Sequence, residues 1–123
     1  MNNFFTQLDQ KIKNTAWPVM MPQQFNQLLS KGAKLAVVDV RDAFDCCFED
    51  ERIAKKHIYH IPFNDFVTEI GKQDFTGYDY IVIMCTAGPK GAVAANILRW
   101  MGNDKAFFVK GGVEEFSRFG GKT

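Results

Sequence analysis

Cysteine is scarce in this sequence. Three occur in 123 residues, at Cys46, Cys47 and Cys85, and no two form a C-x-x-C pair. An odd number without a C-x-x-C argues against a disulfide framework and against a zinc site of the usual spacing. Charge of one sign is scarce too, with a net charge of +1. That leaves no electrostatic case for nucleic acid or for an anionic membrane surface as a partner. No apolar run approaches the roughly 20 residues needed to span a bilayer. The start, Met1-Asn2-Asn3-Phe4-Phe5-Thr6-Gln7, has no basic region followed by an apolar block. No secretory signal is therefore expected, and the expected location is the cytoplasm. Internal repeats and low-complexity segments are lacking. What remains is an ordinary globular composition, 46% hydrophobic and 24% charged, long enough for one domain with a sizeable core. Phenylalanine is the exception to scarcity, with 12 residues expected mainly in that core.

Along the chain, Phe4, Phe5, Leu8 and Ile12 fall at helical spacing with Asp9, Lys11 and Lys13 between them. This predicts an amphipathic N-terminal helix packed across the domain. Trp17-Pro18-Val19-Met20 suits a short edge strand, where proline is tolerated. Pro22 opens a helix and Gly32 closes it, with Phe25, Leu28 and Leu29 as its apolar face. Leu35 to Val40 is an apolar run without alternation, the pattern of a strand covered on both faces. The charged segment from Ala43 to Lys56 is predicted helical at first, and Glu49-Asp50-Glu51-Arg52 within it reads as a solvated surface. Ile58 to Ile61 predicts a strand. A helix follows Pro62 with Phe63, Phe66, Val67 and Ile70 on one face and Gly71 as terminator. Tyr78 to Cys85 predicts a central strand, and a helix beyond it runs to about Met101. Ala106 to Val109 predicts a last strand, and Val113 to Phe119 a last helix. The alternation implies an α/β domain with a parallel sheet and right-handed crossovers.

The chemistry gathers at Cys85. Ile81 to Met84 ends as a buried strand, Gly88, Pro89 and Gly91 break it, and Ala92 onward is strong helix former. Cys85 then stands at a strand end facing the opening of a helix. Unpaired backbone N–H groups and the positive end of the helix dipole favour an anion there. A thiolate is such an anion, so the expected Cys85 is a nucleophile with a lowered pKa. The plainer reading is a small buried hydrophobe that ends a core strand.

Four motifs, in order, extend this reading. Val38-Asp39-Val40-Arg41-Asp42 resembles the "D-V-R-E/D" that ends an early strand in rhodanese-like domains. His57-Ile58-Tyr59-His60-Ile61-Pro62-Phe63 resembles that family's "G-A-I-N-I-P-F". Ile81 to Gly91 resembles "I-V-V-Y-C-R-S-G-N-R-S", and Val109-Lys110-Gly111-Gly112-Val113 through Phe116 resembles "L-x-G-G-I-x-x-W". The resemblance covers roughly residues 18–121. It implies an α/β rhodanese-like domain over residues 18–123, with a mostly parallel sheet of about five strands, helices on both faces, and residues 1–17 as a helical extension. It also implies a sulfurtransferase in which Cys85 takes a sulfane sulfur from thiosulfate or a persulfide and passes it to a thiol or cyanide-type acceptor. Thr86, Ala87, Gly88, Pro89, Lys90 and Gly91 would form the loop that cradles the sulfur. No cofactor, no metal, no nucleic acid and no membrane partner are implied, and the expected state is a monomer or weak dimer. A persulfidated protein is a further expected donor.

Several positions depart from the family pattern. Thr86 stands where arginine is frequent, Pro89 removes an amide from the cradle, and Gly91 replaces a hydroxyl-bearing residue. Lys90 is a point charge without the fork of arginine. Asp39 and Arg41 are expected to brace the loop or to pair structurally at the strand end. Cys46 and Cys47 read as plain thiols rather than resolving partners, and His57 and His60 as rim and packing residues rather than a general base. A cysteine-dependent phosphatase needs C-x5-R, so that arginine can clamp phosphate. The place is taken by Gly91, which argues against phosphate esters. The other functional class is a catalytically weak binding or regulatory module.

Overall fold

The structure is a computed structural model, and it describes residues 17–42, 48, 50–86 and 89–118. The proposed N-terminal helix, Cys46, Cys47, Glu49, Ala87 and Gly88 lie outside the described residues. In chain order the elements are β1 (Val19–Met20), α1 (Pro22–Lys31), β2 (Leu35–Asp39), α2 (Glu51–Ala54), β3 (His57–His60), a 3-10 turn (Phe63–Asp65), α3 (Phe66–Ile70), β4 (Tyr80–Met84), α4 (Lys90–Trp100), β5 (Ala106–Val109) and α5 (Gly112–Arg118).

The five strands form one sheet in the order β1-β5-β4-β2-β3, and every pair is parallel. The expected α/β class, strand number and two-sided helix cover are all present. Val37 and Val82 are fully buried neighbours in register between β2 and β4. Both faces of these strands are covered, which is why their sequences do not alternate. One face packs Ala36, Val38, Ile81 and Ile83 against Phe66, Ile70, Ala94, Ala95 and Leu98 of α3 and α4. The other packs Val37, Val82, Met84 and Val109 against Phe25, Leu29, Ile53 and Phe116 of α1, α2 and α5.

Local chemistry sets the element ends. Pro22 occupies the first helical position of α1, and Met21 N–H donates to Gln24 Oε1 at 2.8 Å. Gly32 ends that helix in the left-handed region, with φ 72°, and donates back to Leu28 and Leu29 carbonyls. At the starts of β2 and β4, Lys34 N–H donates to the Asp79 carboxylate at 2.9 Å.

Two expectations need correction. In the 43–56 segment, residues 43–47 and 49 lie outside the described residues, and Glu51–Ala54 is helical. The acidic run there is not all solvated: Asp50 is 5% exposed, caps α2 through Arg52 N–H, and pairs with the Arg52 guanidinium at 2.9 Å. That guanidinium is held charged chiefly by its hydrogen bond to Asp50, against the cost of burial. Val67 does not share the apolar face of its helix. It is 75% exposed, because Phe66 and Ile70, four apart, take the buried side of a single short turn.

The strand order places the site. From β2 the chain moves outward to β3, then returns to β4 on the other side of β2 and continues away to β5. The carboxyl ends of β2 and β4 therefore flank the point where the winding reverses. In open α/β sheets such a crevice receives ligands.

Candidate functional site

Cys85 follows the last residue of β4 directly and is 4% exposed. Beside it, Arg41 and Asp42 follow β2. Val40, Arg41, Asp42, Cys85, Thr86, Pro89 and Lys90 line one cavity of about 240 Å³. Of the residues singled out in the sequence, Cys85, Thr86, Pro89, Lys90 and Arg41 thus meet at one place. Asp39 joins them through Arg41. Its carboxylate accepts Arg41 N–H at 3.1 Å, Nε at 2.9 Å and Nη2 at 3.2 Å. Both side chains are almost fully buried, at 6% and 2% exposure. The pair is two-pronged and desolvated, a geometry that locks the turn after β2. The Arg41 guanidinium also lies 4.4 Å from the Phe48 ring centre.

Gly91 is not part of the loop, as the sequence suggests, but lies in the first turn of α4, which begins at Lys90. It is buried. A methyl group built on its Cα would stand 3.0 Å from Cys85 Sγ and 3.5 Å from Phe108 Cβ. Glycine at this position therefore lets the helix start settle directly on the sulfur. Lys90 is exposed at the mouth, with Nζ 5.8 Å from the Phe63 ring centre. Asp42, also exposed, is the opposing charge in the lining.

One part of the site is not foreseen in the sequence reading. Val113 N–H donates to the Cys85 carbonyl at 2.9 Å, and Glu114 N–H to the Thr86 carbonyl at 3.3 Å. The start of α5 thereby holds the backbone at Cys85 and Thr86. The approach is so close that a Cβ on Gly112, whose φ is +61°, would fall 2.3 Å from the Cys85 oxygen. The signal in the sequence is the Gly111-Gly112 pair ahead of Val113 and Phe116, but only the fold shows which backbone it meets.

The histidines divide. His60 Nε2 is 3.1 Å from the Arg41 carbonyl, on the rim. His57 lies at the other end of β3, stacked on Tyr59 with ring centres 4.3 Å apart and hydrogen-bonded to Tyr78 Oη at 2.8 Å. Neither lines the cavity. Among the described residues, no group of three or more histidine, cysteine or acidic side chains is placed to hold a metal ion. No helix among them is long and apolar enough to cross a membrane.

The same fold is found in known proteins. The sequence matches the rhodanese-like domain family over residues 21–119. This chain belongs to the rhodanese-like domain family. No curated protein matches it in sequence. A rhodanese-related protein from Thermoplasma volcanium superposes with a TM-score of 0.63 at 18% identity, covering 85% of this chain and 94% of its own. The human single-domain sulfurtransferase TSTD1 gives 0.60 at 19% identity, with 84% and 97% covered. A Rhodopseudomonas palustris protein of unknown function, described as a possible tyrosine phosphatase, gives 0.67 at 19%, with 93% and 88% covered. At such identities the likeness to this rhodanese-like chain is one of fold.

Proposed function

We propose that this rhodanese-like domain is a sulfurtransferase with Cys85 as its nucleophile. The observation that carries the reading is the position of Cys85. It sits at the reversal of the sheet winding, in a cavity of about 240 Å³, with the first turn of α4 against its sulfur. The helix start favours the thiolate over the thiol. That thiolate attacks the outer sulfur of a donor. A new S–S bond forms on Cys85 while the donor's S–S bond breaks, releasing sulfite from thiosulfate or a thiolate from a persulfide. A nucleophilic acceptor then attacks the outer sulfur, and Cys85 leaves as thiolate. No external oxidant or reductant is consumed.

Thr86, Pro89 and Lys90 line the space the outer sulfur would occupy, and Ala87 and Gly88 complete the loop in sequence. Lys90 supplies attraction for an anionic donor. Arg41 and Asp39 act as positioning residues, since the guanidinium is spent on the carboxylate. The cavity is small and holds Asp42 opposite Lys90, so a doubly charged donor is balanced by little exposed positive charge. This favours a persulfide donor, small or carried on a protein, over thiosulfate. The same thin charge is the one observation in favour of a binding module with weak catalysis.

Phosphatase chemistry is not supported. An oxyanion clamp would come from position 91, which is a glycine without a side chain to offer and whose Cα stands close to the sulfur.

The test is sulfur loading. The protein is incubated with thiosulfate or with glutathione persulfide, and intact mass is measured. One added sulfur on Cys85, removed by cyanide or reductant and missing in Cys85→Ser, supports the reading. Uptake that persists in Cys85→Ser moves the chemistry to Cys46 or Cys47. No uptake from any donor leaves the binding module as the better reading.

A further inference from the structure

Two exposed charges of opposite sign wall the cavity at Cys85. Asp42 follows the end of β2, and Lys90 opens α4. The strands β2 and β4 are neighbours in register, with Asp39 beside Met84. The two charges therefore come from the segments that leave adjacent strand ends. Both line the cavity of about 240 Å³ together with Cys85. Arg41 lines it too, but its guanidinium is engaged by the Asp39 carboxylate. No ion pair joins Asp42 to Lys90, and among the described residues neither has an ion-pair partner elsewhere. The accessible lining thus offers one positive and one negative side chain.

A dianion such as thiosulfate gains from Lys90 and loses to Asp42, and a simple cation does the reverse. An α-amino-acid head group answers both at once, because its carboxylate and its ammonium sit on one carbon. The transfer chemistry adds a requirement of distance, since the head group must lie close to the sulfur being passed. In cysteine persulfide only the β-carbon separates the α-carbon from the inner sulfur. In glutathione persulfide the free ammonium and its neighbouring carboxylate are a whole residue further away. Pockets for drug-sized ligands begin at about 300 Å³. At about 240 Å³ the cavity suits the smaller molecule.

We propose that the cavity reads an α-amino-acid head group, and that the donor is a free amino-acid persulfide of the cysteine type, its carboxylate towards Lys90 and its ammonium towards Asp42. This assignment rests on the sulfurtransferase reading of Cys85 and gives that reaction its donor. The Cys85 thiolate attacks the outer sulfur, and the donor's S–S bond breaks as a new S–S bond forms on Cys85. Free cysteine leaves as its thiolate and takes a proton from solvent, with no third reagent oxidised or reduced. Asp42 determines specificity: it attracts the amino-acid donor and repels thiosulfate.

Sulfur loading of Cys85 is timed with cysteine persulfide, with N-acetylcysteine persulfide, which lacks the ammonium, and with thiosulfate. The parent is compared with Asp42→Asn and with Glu69→Gln, which removes a carboxylate outside the cavity. The parent is expected to favour cysteine persulfide over its N-acetyl form about fivefold in kcat/KM, the size of one exposed charge contact. Asp42→Asn is expected to remove that preference and to raise kcat/KM for thiosulfate, while Glu69→Gln keeps the parental preference. Equal use of the two persulfides by the parent, or an equal fall on all three donors in Asp42→Asn, overturns the proposal and leaves Cys85 as the sulfur carrier. Binding is read separately with S-methylcysteine, which has no sulfane sulfur to give. It is expected to slow alkylation of Cys85 by iodoacetamide in the parent, and to do so less in Asp42→Asn. N-acetyl-S-methylcysteine is expected to protect less than S-methylcysteine. Such protection in a protein that loads sulfur from no donor supports the head-group site and overturns the transferase reading. Absence of both loading and protection overturns both.

Discussion

The backbone of Gly91 rests against the sulfur of Cys85, leaving only 3.0 Å for any methyl group between them. The contact sets the start of α4 directly against Cys85, so a side chain at position 91 must displace one or the other. Gly91→Ala would force either the sulfur or the helix start to shift, with Phe108 closing the other side. Overpacking of this kind costs about 1–3 kcal/mol. Sulfur loading is expected to fall well beyond what that loss of stability explains, because the Cys85 sulfur itself is displaced. Loading rates and urea midpoints measured on the same variant separate the two effects. A Gly91→Ala protein that loads sulfur at the parental rate would show that the contact is incidental.

Gly112 meets the other side of the same residue. Its Cβ would lie 2.3 Å from the Cys85 carbonyl oxygen and 2.6 Å from that of Thr86. Backbone atoms cannot yield as a side-chain tip can, and a φ of +61° adds strain for any L residue. The strain alone is about 1–3 kcal/mol. Gly112→Ala is expected to lower the melting temperature and to free the Cys85 and Thr86 carbonyls from α5. Faster hydrogen exchange at the Val113 and Glu114 amides is the direct readout. Protected amides in a folded Gly112→Ala protein would refute the pinning role.

Asp39 and Arg41 form a buried pair whose worth lies in being complete. Removing one partner strands the other charge away from water, at a cost of about 3–5 kcal/mol. Asp39→Ala is therefore expected to be strongly destabilising. The double variant Asp39→Leu/Arg41→Met, which leaves no buried charge, is expected to recover a large part of that loss. Denaturant unfolding of the parent, Asp39→Leu, Arg41→Met and the double completes the cycle. If the double variant is as unstable as the sum of the singles, the two side chains are not coupled and the pair does not act as a unit.

Much of this was legible in the sequence because the local signals agree with the fold. Leu35–Asp39 and Tyr80–Met84 are strands in a run of β-branched residues, and Pro22 and Gly32 mark a helix at both ends. Cys85 is legible for the same reason, as the one cysteine where a strand, a breaker and a helix follow in order. What escaped depends on partners far along the chain. Asp50 reads as a solvated acid until Arg52 folds back on it and Arg52 Nη1 reaches Ser30 Oγ at 2.9 Å across from α1. Gly112 reads as a turn residue until α5 is docked on the Cys85 carbonyl. Val67 fits an apolar face by spacing alone, but the 3-10 turn at Phe63–Asp65 and a helix of one turn leave it no core to face.

Lys90 is the exposed cation at the cavity mouth, and its effect is bounded by that exposure. An exposed ion pair contributes up to about 1 kcal/mol, or roughly fivefold in affinity. Lys90→Met is expected to raise the KM for thiosulfate by up to about that factor and to flatten its dependence on salt. With a neutral or singly charged persulfide donor the change is expected to be smaller. Equal effects on both donors would mean that Lys90 acts on the loop rather than on donor charge.

Tyr59 gives the fold a signature at high pH. Burial, followed by the hydrogen bond to Tyr78, pushes its phenol up to about 12. Its hydroxyl donates to the Asp74 carbonyl at 3.2 Å and lies 3.3 Å from the Tyr78 hydroxyl, so a phenolate there would face a carbonyl oxygen. The folded state thus holds this proton more tightly than the unfolded chain, where a tyrosine titrates near 10. The associated stability is complete below about pH 10 and is lost as pH rises towards the folded value of about 12. Tyr59→Phe removes the titrating group and one hydrogen bond. Its stability is expected to start lower by about 1 kcal/mol near neutral pH, the usual worth of such a bond. It should then fall less steeply than the parent's through the alkaline range, so that the two curves converge. Urea unfolding followed across that range tests the sign, and curves that stay parallel would place the alkaline loss on other groups.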